Sequence, residues 1–175
     1  MASAAGHVDV LISREDLAAR VRALGEQITR DQEGRPLVVV GVLKGSFIFL
    51  ADLVRAIDLP ISIDFIGISS YHGTSTTGVV KITSDLSRPI DGKDVLLVED
   101  IVDTGLSMRY LLDNLATRKP ASLKVCALLE KPSRARVTVP IDYRGFVIGD
   151  EFVVGYGLDR DGRLRNLPFV GVVKG

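Results

Sequence analysis

The segment that most clearly carries chemistry runs from residue 95 to residue 107, with the sequence VLLVEDIVDTGLS. Four apolar residues lead into the acids Glu99 and Asp100, and two more lead into Asp103-Thr104-Gly105. A strand that turns through glycine into a helix leaves free backbone N–H groups at the helix start, where the helix dipole favours an anion. The two carboxylates offer acceptors only, which suit the hydroxyls of a ribose. The segment therefore predicts a ribose phosphate site.

A plainer interpretation exists for part of this segment. Thr104 could cap the helix while Gly105 makes the turn, and the two acids could be solvated charges at a strand end. For Asp-Thr-Gly alone this interpretation is the better one, whereas the whole segment is far more specific. Residues 41–46 read GVLKGS and lack the spacing of the P-loop motif, so nucleoside triphosphate hydrolysis is not expected.

Apolar runs and helical periodicities alternate along the chain, which predicts an α/β fold with a mainly parallel sheet. Leu17, Val21, Leu24 and Ile28 recur at helical spacing after a capping Ser13. The predicted helices cover residues 14–30, 47–57 and 106–116. The predicted strands cover residues 37–43, 61–68, 79–83, 95–98 and 123–129, with short strands at 146–148 and 152–156. Residues 69–78 are predicted to form a long polar loop.

Composition limits the class of protein. With 175 residues and 46% hydrophobic residues, one domain spanning residues 1–175 is expected. The 22 basic and 22 acidic residues balance, which gives no general attraction to nucleic acid or membrane. Cys126 is the single cysteine, inside an apolar run, so it is expected to be buried and structural. No N-terminal targeting or membrane segment is recognisable, so a cytoplasmic location is expected.

Residues 95–107 closely resemble the signature with which type I phosphoribosyltransferases bind phosphoribosyl pyrophosphate (PRPP). The order of segments from residue 38 to residue 168 is similar to that of hypoxanthine-guanine phosphoribosyltransferases. This resemblance implies the type I phosphoribosyltransferase fold, with a small hood formed by the chain ends. It implies purine salvage, in which the 5-phosphoribosyl group of PRPP moves to N9 of hypoxanthine or guanine and gives IMP or GMP with pyrophosphate. It also implies a magnesium (Mg²⁺) cofactor and a homodimer or homotetramer.

The resemblance assigns roles around the ribose phosphate. The 5-phosphate would lie on the loop formed by Asp103, Thr104, Gly105, Leu106 and Ser107. Glu99 and Asp100 would hold the ribose hydroxyls and a metal ion. Asp103 would also act as general base or hydrogen-bond acceptor at purine N7.

Further roles follow for the leaving group. Lys44 and Gly45 resemble the pyrophosphate loop, with an unusual peptide bond between them, although Lys44 alone would be read as a surface lysine. Arg165 would meet the pyrophosphate, and Asp159 would contact a second metal ion. The polar stretch at residues 160–163 departs from the family, which commonly has aromatic residues there.

The remaining roles concern the purine and the lid. Lys131 would donate a hydrogen bond to the oxygen at purine C6, Phe152 would stack on the base, and the backbone of Val153 would meet its edge. Without the resemblance, Lys131 would be an exposed lysine and Phe152 a core residue. Ser70 and Tyr71 would belong to a mobile lid at about residues 69–78.

Two alternatives stay open. A xanthine- or guanine-selective transferase would share every motif, because discrimination at purine C2 depends on backbone contacts near Val153 and Asp159. A PRPP-sensing RNA-binding regulator of the same fold would carry the same signature. Such a regulator should present a basic face, which the balanced charge disfavours.

Overall fold

The computed structural model describes residues 8–71 and 79–173, and their helices and strands alternate along most of the chain. In chain order the elements are β1 (Val8–Ile12), α1 (Arg14–Asp31), β2 (Leu37–Leu43), α2 (Phe47–Ala56), β3 (Ile61–Tyr71), β4 (Val79–Ser84), β5 (Asp94–Val102), α3 (Leu106–Ala116), β6 (Ser122–Glu130), β7 (Tyr143–Val147), β8 (Val153–Val154) and β9 (Val170–Val173). A short 3-10 helix, Pro132–Arg134, follows β6.

The larger sheet has six strands in the order β4-β3-β2-β5-β6-β7. All neighbouring pairs are parallel except β3 and β4, which form an antiparallel edge. The predicted α/β class with a mainly parallel sheet is confirmed. Because β2, β5 and β6 are parallel neighbours, the loops that follow them meet at one edge of the sheet.

The central strands are buried on both faces, as their continuous apolar runs predict. On β2, Val39 packs into the core beneath α1 and α2, whereas Val38 and Val40 pack into the core beneath α3. Cys126 on β6 is fully buried, and burial raises the pKa of its thiol, as expected for a structural cysteine. The helices therefore fix the positions of the strands whose ends carry the polar residues.

Helix α1 begins and ends within one residue of the prediction. The backbone N–H of Asp16 donates to the Ser13 hydroxyl at 3.0 Å, which caps the helix start. Leu17, Val21, Leu24 and Ile28 are all buried, so the predicted apolar face is the face that packs on the sheet.

A second sheet of three strands, in the order β1-β9-β8, joins the two ends of the chain. Val8 pairs with Val173, and Val153 pairs with Val172. This is the small hood that the family resemblance implied. The sequence interpretation did not identify β1 or β9 as strands.

Several predicted boundaries are wrong. Strand β5 continues to Val102, so Glu99 and Asp100 lie within the strand and not after it. Strand β3 includes residues 69–71, which pair with β4 and were assigned to the polar loop. The predicted strand at 152–156 is reduced to Val153–Val154. In each case pairing with a neighbouring strand, and not local hydropathy, determines where the strand ends.

Ser70 and Tyr71 pair with β4 through their backbones, while the rest of the predicted lid, residues 72–78, lies outside the described residues. Among the residues that the structure describes, no helix combines the length and apolarity needed to cross a membrane.

Candidate active site

The loop after β5 forms an open helix start. Gly105 has φ +81, in the left-handed region that favours glycine, and α3 begins at the next residue. No side chain caps this start at short range, since the N–H of Leu106 only approaches the Thr104 hydroxyl at 3.4 Å. The first turn of α3 contains no acidic residue. Backbone N–H groups and the helix dipole are therefore available to an anion.

A small cavity of about 80 Å³ lies against this helix start. Its walls come from both parts of the motif, namely Glu99, Ile101, Val102, Asp103, Thr104, Gly105, Ser107 and Met108. The structure thus brings the loop predicted for the phosphate and the first acid predicted for the ribose to one cavity. Thr104 is not the N-cap, since Gly105 holds that position and the Thr104 hydroxyl accepts only a 3.4 Å hydrogen bond from Leu106.

Glu99 is an unusual carboxyl because it is only 8% exposed. Burial raises the pKa of Glu99 well above its usual value, and the charge of neighbouring Asp100 raises it further. The backbone N–H of Asp100 donates to Glu99 Oε1 at 3.0 Å. Burial and the neighbouring charge thus disfavour ionisation of Glu99, and a cation bound beside the two acids would favour the charged form of both.

The loop after β2 contacts this pair directly. A Cβ atom built on Gly45 would lie 1.7 Å from Asp100 Oδ2, so the position admits glycine alone without movement of the carboxylate. The peptide bond between Leu43 and Lys44 is cis. The sequence interpretation placed the unusual peptide bond between Lys44 and Gly45, and that position is wrong by one residue.

The segment after β8 packs on the same loop. A Cβ atom on Gly157 would lie 2.1 Å from the carbonyl oxygen of Gly45. Arg165 donates through Nη1 to the carbonyl of Gly157 at 2.6 Å and pairs through Nη2 with Asp159 Oδ1 at 2.8 Å. Arg165 and Asp159 therefore lie beside the loop of Lys44 and Gly45, as the leaving-group assignment requires.

The polar stretch after Asp159 forms a tight turn. Arg160 and Arg163 exchange backbone hydrogen bonds of 3.1 and 3.0 Å, and Asp161 and Gly162 between them have φ +54 and +77. Asp159 stabilises the turn because its Oδ2 accepts from the N–H of Gly162 at 2.7 Å. The departure from the family pattern thus leaves the Asp159 carboxylate anchored.

Lys131 follows β6, the neighbour of β5, and is only 6% exposed. Its backbone N–H donates to the carbonyl of Val102 at 3.0 Å, and its ammonium donates to the carbonyl of Glu151 at 2.7 Å. It therefore connects the start of the phosphate loop with the segment that carries Phe152 and Val153. A buried lysine contradicts the interpretation drawn from this residue in isolation.

Phe152 is 59% exposed, while Val153 is buried in β8. A core role for Phe152, expected from the residue in isolation, is wrong. Phe152 follows Glu151, the residue bonded to Lys131, and its exposed ring offers an apolar face to which a flat ligand could bind.

Two residues near the site were missed by sequence reasoning. Arg134 pairs through Nε with Asp103 Oδ1 at 2.6 Å, and the carbonyl of Glu151 accepts from Lys131. Neither contact has a signal in the sequence, because each joins segments that are distant along the chain. Only the adjacent ends of β5 and β6 bring them together.

No group of three or more His, Cys, Asp or Glu side chains that could hold a metal ion occurs among residues 8–71 and 79–173. The carboxylates that the family resemblance assigns to metal ions are the pair Glu99 and Asp100, with Asp159 joined through Arg165 to Gly157 beside the Gly45 loop. Mg²⁺ is commonly held by one or two carboxylates together with water and substrate phosphates. This donor set fits magnesium bound with a phosphate ligand.

A larger cavity of about 650 Å³ lies between α1, α2 and the segment around Tyr156 and Leu167. It contains none of the predicted site residues. The polar residues of the motif meet at the carboxyl edge of β2, β5 and β6, which makes this edge the candidate active site.

Comparison with known proteins gives matches along nearly the whole chain. Residues 8–161 match the family model of the phosphoribosyl transferase domain. Hypoxanthine phosphoribosyltransferase of Haemophilus influenzae is 53% identical over 171 residues, which cover 95% of this chain and 96% of that protein. Hypoxanthine-guanine phosphoribosyltransferase of Staphylococcus aureus strain Mu50 is 47% identical over 167 residues, which cover 95% and 93%. A crystal structure of hypoxanthine-guanine phosphoribosyltransferase from Bacillus anthracis matches with a TM-score of 0.91 and 50% identity, covering 95% of this chain and 98% of that one.

Proposed function

The chain belongs to the phosphoribosyltransferase family, and we propose that it acts in purine salvage as a hypoxanthine-guanine type enzyme. It would transfer the 5-phosphoribosyl group of PRPP to N9 of a 6-oxopurine and release pyrophosphate. One observation carries this proposal beyond the family: the buried Lys131 hydrogen-bonds both to Val102, which precedes the phosphate loop, and to Glu151, which precedes the exposed Phe152.

Binding of PRPP would use three loops at the edge of the sheet. The 5-phosphate would accept hydrogen bonds from backbone N–H groups of residues 103–107, including Leu106 and Ser107, at the uncapped start of α3. Glu99 and Asp100 would hold the ribose hydroxyls. Lys44, Gly45 and Arg165 would receive the pyrophosphate, and the planar guanidinium of Arg165 suits a diphosphate by bidentate geometry.

Chemistry would then depend mainly on position and charge. N9 of the purine forms a bond to C1 of the ribose while the bond from C1 to the pyrophosphate oxygen breaks, and its electron pair leaves with pyrophosphate. Positive charge that develops on the ribose lies close to the carboxylates of Glu99 and Asp100. Asp103 would accept the proton from purine N7, which keeps the product neutral at that ring.

Magnesium would be held by Glu99 and Asp100, with Asp159 near a second ion. When bound, Mg²⁺ would neutralise charge on the departing pyrophosphate. Lys44 and Arg165 would neutralise further negative charge on the pyrophosphate, since both supply cationic donors to the same group.

Selection of the base would depend on Lys131. An ammonium has donors only, so it matches the oxygen at C6 of hypoxanthine or guanine and mismatches the amino group of adenine. Because the Lys131 ammonium already donates to Glu151, its direction is fixed before the base arrives. Phe152 would stack on the ring and the backbone of Val153 would meet its edge.

We also propose that Ser70 and Tyr71 begin a lid over the reacting centre, since β3 leads to the same edge of the sheet as β2. Closure would exclude water from the reactive ribose. A homodimer or homotetramer is supported by exposed apolar side chains at Phe47, Ile63 and Phe65 on the α2 side of the sheet.

The test offers the purified protein PRPP and Mg²⁺ with hypoxanthine, guanine, xanthine or adenine, and measures nucleotide and pyrophosphate by chromatography. We expect conversion of hypoxanthine or guanine and little of adenine. Conversion of xanthine alone, or of adenine as readily as hypoxanthine, would contradict the assignment of Lys131 or of the substrate. PRPP binding without conversion of any base, together with salt-dependent RNA binding, would support the regulator instead.

A further inference from the structure

Asp103 has a fixed partner that is not part of the phosphate loop. Arg134 Nε donates to Asp103 Oδ1 at 2.6 Å, a short charge-assisted hydrogen bond. In the described part of the chain, Oδ2 of the same carboxylate has no hydrogen-bond partner. The arginine therefore uses one oxygen of Asp103 and leaves the other available.

The position of Arg134 is itself set by the site. It ends the 3-10 helix Pro132–Arg134, which begins directly after Lys131, and its own N–H donates to the carbonyl of Lys131 at 3.1 Å. Further along this segment, the N–H of Val137 donates to the carbonyl of Thr104 at 3.2 Å. Before Arg134, the N–H of Lys131 donates to the carbonyl of Val102 at 3.0 Å. The segment is thus bonded to the end of β5 before Arg134 and to the phosphate loop after it, which fixes the backbone from which the guanidinium extends.

Stability does not explain the ion pair. The side chains of Arg134 and Asp103 are 47% and 38% exposed, and ion pairs this open contribute little to folding. The hydrogen bond and charge of Asp103, together with the charge of Asp150, raise the pKa of Arg134, so the guanidinium stays cationic. A directional contact of small energetic value is typical of a group that orients another.

We propose that Arg134 is a positioning residue for phosphoribosyl transfer, holding Asp103 through Oδ1 so that Oδ2 faces N7 of the purine. The inference rests on the proposed function, in which N9 attacks as Asp103 accepts the N7 proton. Arg134 contacts neither reacting atom in this account. Because it extends from the turn that follows Lys131, it also makes the orientation of Asp103 depend on the segment that recognises the base.

The test compares single-turnover rates with hypoxanthine and PRPP, together with KM for each substrate, in five proteins and one control variant. They are the wild type and the variants Arg134→Gln, Arg134→Lys, Asp103→Asn and Asp103→Asn/Arg134→Gln. General bases contribute roughly 100- to 10,000-fold, so a base that keeps its place and loses its orientation should lose about tenfold. We expect that loss for Arg134→Gln with an unchanged KM for PRPP, and substantial recovery in Arg134→Lys, which keeps a charged donor.

In the Asp103→Asn background, Arg134→Gln should add almost nothing, because the group that it orients is already disabled. Arg136→Gln removes the same charge from the same segment and measures the general effect of a lost cation near the phosphate. If the wild type is active and Arg134→Gln is as fast as Arg136→Gln, the inference is wrong and the proposed function stands. The same holds if the rate losses of Asp103→Asn and Arg134→Gln multiply in the double variant. A wild type inactive with every purine would overturn the proposed function and the inference together.

Discussion

Replacement of Gly45 by alanine should lower the catalytic rate much more than it lowers the stability of the fold. The Cβ atom of alanine would lie 1.7 Å from Asp100 Oδ2 and 2.5 Å from its Cγ, whereas real Cβ contacts below 3.0 Å are essentially never observed. The loop and the carboxylate must therefore move apart by more than 1 Å. Asp100 Oδ1 also accepts from the N–H of Ile101 at 2.9 Å, so rotation of the carboxylate would lose that bond.

The expected cost is mainly catalytic. A displacement of about 1 Å at a reacting centre can lower the rate on the order of 100-fold, so kcat/KM for Gly45→Ala should fall by about that factor. Folding should be affected much less. Gly45 is not among the residues with positive φ. Alanine also lowers the conformational entropy of the unfolded chain, which stabilises the folded state by about 0.4–1 kcal/mol and offsets part of the steric cost.

Gly92→Ala is the matched control. Gly92 has φ +67 with no atom within 4 Å of an added Cβ, and it precedes β5 at the edge of the sheet opposite the site. Alanine in this conformation should cost roughly 1–2 kcal/mol of stability and leave kcat/KM unchanged. Steady-state kinetics and urea unfolding of both variants check the pair. Gly45→Ala with near wild-type kcat/KM would refute the contact between the Lys44-Gly45 loop and the ribose acids.

Three further outcomes are expected. Lys131→Met should raise KM for hypoxanthine by about tenfold or more and leave KM for PRPP unchanged, because a neutral side chain cannot donate to O6; equal effects on both values in steady-state assays would contradict the role. Phe152→Ala should weaken base binding by about 1–3 kcal/mol in calorimetry without lowering Tm, since the ring stacks on the base and is exposed in the free protein. Burial, aided by Asp31, raises the pKa of Tyr143 to about 12. Between about pH 10 and pH 12 the folded protein keeps the Tyr143 proton that the unfolded chain has lost, so the free energy of unfolding should fall over this range. The fall should be less steep in Tyr143→Phe. Identical slopes for the two proteins in urea unfolding at each pH would disprove this.

The elements with strong local signals were predictable. Helix α1 follows from Ser13 and the spacing of its buried residues, and β2 follows from an apolar run that is buried on both faces. The extension of β5 past Glu99 and of β3 to Tyr71 could not be predicted, because pairing with neighbouring strands determines where those strands end. The strands β1 and β9 stabilise each other across the chain ends, a contact that no local pattern encodes.

The candidate site was also predictable in part. The order of strands places the residues after β2, β5 and β6 at one edge, so Lys44, Asp103 and Lys131 could be grouped from their positions after apolar runs. Their tertiary contacts could not be read in this way. The burial of Lys131 against Glu151 and the pairing of Arg134 with Asp103 arise only when separate loops meet. The one-domain organisation and the cytoplasmic location stay predictions.

We propose that the residues at this edge of the sheet transfer phosphoribosyl groups to a 6-oxopurine. The most direct measurement is the rate at which the wild type and a Glu99→Gln/Asp100→Asn variant convert hypoxanthine with saturating PRPP and Mg²⁺, with folding of both checked by circular dichroism. We expect rapid conversion by the wild type and a loss on the order of 100-fold or more in the variant, because electrostatic stabilisation at the ribose is removed. No conversion by the wild type, or equal conversion by the folded variant, would contradict the account.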